Sequence, residues 1–151
     1  MSKSNGVIFK EDFKNGLKNW TTKTTIMLGK WITENGELVY MNTSDVALNR
    51  GILCTKKQFY GFKSAKFDIM LDDSDSVNGC WFSRSFMQTY QVNIIIKSGT
   101  VKVTYAKNDM AKKSLDVYAT GDADGILEFG KWNTVSVEAI GQRIVIKLQP
   151  R

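Results

Sequence analysis

No histidine occurs anywhere in the 151 residues. That absence removes Ser-His-Asp and Cys-His catalysis, histidine-based zinc sites, and the commonest general base near neutral pH. Proline is almost as scarce: the single one, Pro150, precedes the last residue. No stretch rich in proline or serine marks a linker, so residues 1–151 read as one domain. Two cysteines, Cys54 and Cys80, fall in different expected strands without metal-ligand spacing and read as two thiols rather than a disulfide. No apolar run reaches the length of a signal peptide core or a transmembrane span. A soluble chain is therefore expected, extracellular if it is an excised module and cytoplasmic otherwise.

What is present fits an ordinary globular core, with 42% hydrophobic and 11% aromatic residues. The net charge is +6, from 21 Lys/Arg against 15 Asp/Glu. These cations are scattered, and many alternate with apolar residues, as in Val101-Lys102-Val103. That is the pattern of a solvated strand face with lysines that discourage edge pairing, not the basic stripe of a nucleic-acid binder. No nucleic-acid or membrane partner is expected.

Strand signals recur along the chain, and almost no segment keeps a helical period. Short strands are expected at 8–13, 31–33, 38–41, 51–56, 62–71, 79–86, 90–97, 101–105, 115–119, 132–140 and 144–148. Asn35-Gly36 predicts a tight hairpin, and Ser98-Gly99 and Gly141-Gln142 predict further turns. The sole helical candidate is Asn108 to Lys113. Short β-branched and aromatic strands between tight turns predict an all-β, two-sheet antiparallel β-sandwich or jelly roll.

Several phrases resemble the concanavalin A-like lectin/glucanase superfamily. Phe9-Lys10-Glu11-Asp12-Phe13, followed by Gly16-Leu17 and Trp20, is similar to that group's opening. Trp31 with Gly36-Glu37-Leu38, Tyr60-Gly61-Phe62 leading to Phe67-Asp68, Asn78-Gly79-Cys80-Trp81-Phe82, Tyr90-Gln91-Val92-Asn93-Ile94 and Trp132-Asn133 continue the resemblance in order. The group includes non-catalytic carbohydrate-binding modules and 3-keto-disaccharide hydrolase-like domains. The resemblance implies a concanavalin A-like jelly roll, with Trp20, Trp31 and Trp132 as core residues. Members continue past the point where this chain stops, so it also implies a domain lacking its closing C-terminal strands, or one completed by a partner chain or oligomer. The group's site arginine would fall on Ser83, and a bulge would be needed to bring Arg84 into its place.

Alternation along the middle strands puts Ala65, Phe67, Ile69, Cys80, Phe82, Val92, Ile94, Val101, Val103 and Tyr105 inside. Asp68, Trp81, Gln91 and Asn93, joined by Arg84, are then expected on one outward, concave face. An indole that packs on pyranose C–H groups beside amide and charged groups for vicinal hydroxyls suits an oligo- or polysaccharide. A retaining glycosidase needs two carboxylates about 5–5.5 Å apart. The close acid pairs Asp73/Asp75 and Asp122/Asp124 fall in expected loops, so no catalytic residue is assigned. The expectation is a non-catalytic carbohydrate-binding module. A glycoside hydrolase or lyase using Asp68, and a structural subunit completed by a partner, are the alternatives. No cofactor is expected; the oxygen-rich loops 72–79 and 122–125 lack EF-hand spacing and allow at most a structural Ca²⁺.

Overall fold

A computed structural model describes residues 6–22, 29–42, 51–59, 63–85, 87–140 and 143–151. Among these residues there is no helix, and every paired strand is antiparallel. The chain forms two compact units, residues 1–62 and 63–151.

In the first unit, β1 (Trp20–Thr22) pairs with β4 (Leu53–Thr55), and β2 (Gly29–Glu34) pairs with β3 (Glu37–Asn42). Asn35 and Gly36 link β2 to β3 with φ of 53° and 76°. Two successive positive φ angles give the two-residue turn whose twist matches the flanking strands.

The expected strand at 8–13 is not formed, and Glu11 supplies the reason. Its carboxylate accepts hydrogen bonds from the backbone N–H of Asp12 and Phe13, the Asn19 amide and the Trp20 indole N–H, the last at 3.0 Å. A side chain that collects its own neighbours' N–H groups folds the backbone into a turn rather than a ladder. Phe9, Phe13 and Trp20 pack over it with ring centroids 5.7 Å apart, and Trp20 is half-buried.

The Trp20 hydrogen bond, seconded by those from Phe13, Asn19 and Asp12, holds the Glu11 carboxyl below its ordinary value, with partial burial opposing. A lowered pKa in the folded state stabilises the fold above the carboxyl's unfolded value, and that contribution is lost as pH falls through the lowered value. Glu11→Gln is therefore expected to lower Tm at neutral pH. The gap from wild type should close on acidification, and a pH series of thermal melts reads it directly.

In the second unit, β5 (Ser64–Met70), β10 (Trp132–Ile140) and β11 (Arg143–Pro150) form a three-stranded sheet in the order β11-β10-β5. β6 (Ser76–Ser85), β7 (Gln88–Lys97), β8 (Thr100–Asp109) and β9 (Ser114–Asp122) form a four-stranded meander. Val92, Ile94, Ile96 and Val101 from the meander share one core with Val135 and Val137 of the other sheet. Phe67, Ile69, Ile146 and Leu148 pack against it. The architecture is all-β and sandwich-like.

The expected helix at 108–113 is instead the end of β8 and a turn, in which Lys113 takes a φ of 50°. Asp109 builds that turn by accepting a hydrogen bond from the Lys112 N–H. Ser98 and Gly99 form the expected β7–β8 turn, with φ of 50° and 77°.

The oxygen-rich loops use their carboxylates on backbone. Asp72 accepts from the Ser74 N–H, Asp75 from the Ser98 N–H and Asp124 from the Val101 N–H. Cys54 and Cys80 form no disulfide. Burial pushes the Cys80 thiol up to about 11, which keeps it protonated and unreactive at neutral pH.

Candidate functional site

The five residues expected to meet on one face are divided by the strand order. β5 hydrogen-bonds to β10 and not to β6, so Asp68 belongs to the three-stranded sheet, while Trp81, Gln91 and Asn93 belong to the meander. With Phe67 and Ile69 turned to the shared core, Asp68 faces away from it on one side of the unit. Gln91 and Asn93 alternate with core Val92 and Ile94, so they face away on the other side. The expectation of one site holding all five is corrected on this point.

Gln91 and Asn93 do lie together, but not as an open floor. They are 6% and 8% exposed. The Asn93 amide donates to the Gln91 carbonyl at 3.2 Å, and the Gln91 amide donates to the Thr89 hydroxyl at 2.8 Å. These amides are spent on a ladder along β7, which satisfies groups that would be costly to bury alone. Trp81 is the register partner of Gln91. The β6–β7 register shifts between Ser83 and Ser85. The side chains of Trp81 and Arg84 lie outside the described residues.

Asp68 has different company. Trp132 opposes Met70 across the β10–β5 ladder, and Thr134 opposes Asp68. With Val135 and Val137 inside, alternation turns Trp132 and Thr134 to the face that carries Asp68 and Met70. The Thr134 hydroxyl donates to Asp68 Oδ1 at 2.6 Å, and Arg151 Nη1 stands 3.4 Å from Asp68 Oδ2. Arg151 is fixed from behind by its backbone N–H, which donates to the Trp132 carbonyl at 3.0 Å.

Met70, Trp132 and Arg151, with Glu128, Gly130 and Lys131, line an open groove of about 470 Å³. Lys131 pairs with Glu128 at 3.4 Å on its rim.

The loop that closes this groove is held from below. Asn133, 0% exposed, accepts from the Glu128 N–H through its amide oxygen and donates to the carbonyls of Glu128 and Lys131 through its amide nitrogen. The Gly130 N–H donates to the Leu71 carbonyl, tying the loop to the end of β5.

Trp132, expected in the core, is half-exposed at this groove. The signal that would have found it was present. Once Val135 and Val137 are assigned inward, parity alone sends Trp132 out. Arg151 carried no such signal, because its approach to Asp68 depends on β11 lying beside β10.

Chemically, the groove combines an indole, a thioether and the charged groups of Glu128, Lys131 and Arg151, with Asp68 as the ion-pair partner of Arg151. Exposed pairs are individually weak, so their charged atoms can be redirected to a ligand's hydroxyls at small cost. Among the described residues, no group of three or more His, Cys, Asp and Glu side chains is placed to hold a metal ion. Comparison with protein-family models, with curated proteins and with solved structures finds no match to this chain.

Proposed function

We propose that the protein is a carbohydrate-binding module of the concanavalin A-like kind, and that its ligand, a neutral oligo- or polysaccharide, lies in the groove beside Trp132. One observation carries the reading: Trp132 and Met70 line an open groove whose neighbours are the Asp68–Arg151 pair and Thr134. Indole binds the apolar face of a sugar ring, and carboxylate and guanidinium groups bind adjacent hydroxyls in paired hydrogen bonds. The two ion pairs balance in charge, which favours a neutral glycan over an acidic one. The all-β, sandwich-like second unit and the ordered run of lectin/glucanase-like phrases support the same reading.

Isothermal titration against neutral hexasaccharides tests it. Trp132→Ala should lower affinity by about tenfold or more, the scale of losing a central aromatic anchor. Asp68→Asn should weaken binding less, and Gln91→Ala should act through stability alone. Unchanged affinity in Trp132→Ala would remove the groove from consideration. Reducing ends appearing during the titration would convert the module into a glycoside-cleaving enzyme.

A further inference from the structure

Asparagine followed by glycine is the dipeptide whose own backbone can attack its side chain, because glycine has no Cβ to shield the attacking nitrogen. Four such steps occur in the chain: Asn5-Gly6, Asn15-Gly16, Asn35-Gly36 and Asn78-Gly79. Asn5 lies outside the described residues. The other three share their local chemistry and differ in their surroundings, so the fold decides which of them reacts.

Asn15-Gly16 is held. The Gly16 N–H donates to the Phe13 carbonyl at 3.2 Å, inside the turn that Glu11 fastens by accepting from the Asp12 and Phe13 N–H groups. Asn78-Gly79 is held more firmly. It lies within β6, where Gly79 is the register partner of Asn93 in the four-stranded meander. The Asn78 amide donates to the Ser76 hydroxyl at 2.8 Å, and the Gly79 backbone packs so closely on the Val92 carbonyl that no side chain would fit.

Asn35-Gly36 has neither restraint. Both residues are exposed at the tip of the β2–β3 hairpin, and among the described residues the Gly36 N–H makes no backbone hydrogen bond. The positive φ angles of Asn35 and Gly36 hold a turn whose shape the reaction must leave, so the ease of local opening sets the rate. Among the described residues, β2 and β3 pair only with each other. A two-stranded hairpin is marginal without further strands, and its turn opens at lower cost than a step inside a meander.

We infer that Asn35 is the deamidation site that this fold selects among Asn15, Asn35 and Asn78. The Gly36 nitrogen gives up its proton and forms a bond to Asn35 Cγ; the Cγ–Nδ2 bond breaks, and ammonia leaves with a proton. Water then opens the cyclic imide at either carbonyl, giving aspartate or isoaspartate. Both products add a carboxylate beside Glu34 and Glu37, which already oppose each other across the ladder. Like charges so placed weaken a strand pair. Isoaspartate also lengthens the backbone of a turn that closes through only two residues. Modification therefore loosens the β2–β3 hairpin. Nothing in this step depends on a glycan.

Ageing the full chain at mildly alkaline pH, folded and in parallel unfolded in urea, tests the assignment. Peptide mass mapping follows each step, and an isoaspartate methyltransferase assay reads the rearranged product. The folded-to-unfolded rate ratio should be several-fold higher at Asn35 than at Asn15 or Asn78. Hydrogen exchange of the β2 and β3 amides should quicken in the modified fraction. Equal ratios at the three steps, a higher ratio at Asn15 or Asn78, or no reaction at Asn35 in the folded chain would overturn the assignment. Unchanged exchange in β2 and β3 after modification would overturn the loosening of the hairpin.

Discussion

Asn133→Ala should destabilise the second unit by about 2–4 kcal/mol, with guanidinium unfolding as the measurement. The size follows from the environment. Asn133 is fully buried, and its side chain makes three hydrogen bonds, all to backbone atoms of the 128–131 loop. Truncation leaves the Glu128 N–H and two loop carbonyls without their partner and empties a fully buried side-chain position. Asn133→Asp is the informative companion. It keeps an acceptor for the Glu128 N–H but replaces the donor to the two carbonyls with a second oxygen, so it should be at least as damaging. Because the same loop lines the Trp132 groove, either variant should also loosen glycan binding in protein that remains folded. A loss below 1 kcal/mol for Asn133→Ala would mean the loop is held by something else.

Ile94→Ala should cost about 2–5 kcal/mol, and Ile94→Val about 0.5–1.5 kcal/mol. Ile94 is wholly buried at the centre of β7 and belongs to the cluster shared by both sheets of the second unit. Its neighbours are strand residues held by ladders on both sides, so the space left by truncation cannot readily collapse. The charge-free and volume-graded nature of the pair makes the ratio of the two losses the useful quantity. Similar losses for alanine and valine would show that the core relaxes around the site.

Much of the strand inventory was legible because alternation and turn chemistry are local. The β10 boundaries match the expected 132–140, and Asn35-Gly36 and Ser98-Gly99 turn the chain through the positive φ angles their residue types favour. The misreadings have local causes of their own. Residues 8–13 resemble a strand until Glu11 gathers the N–H groups around it. Residues 108–113 have the composition of a short helix, but Asp109 closes a turn and Lys113 takes a left-handed conformation.

The candidate site was legible only in part. Asp68 was read as outward and is, and Gln91 and Asn93 were read as sharing a face and do. That these two are buried in a ladder, and that Trp132 rather than Trp81 accompanies Asp68, was not visible in any single strand.

The sequence by itself determined which residues extend, where the chain turns and which side chains in each strand share a face, since period-two alternation needs nothing beyond neighbouring residues. Only the tertiary structure decided that β5 pairs with β10 instead of β6, and hence that Asp68 meets Trp132, Thr134 and Arg151. Backbone hydrogen bonds between strands are chemically alike whatever strands they join. The choice of neighbour is made by how two whole sheets close over one core, which no local pattern encodes.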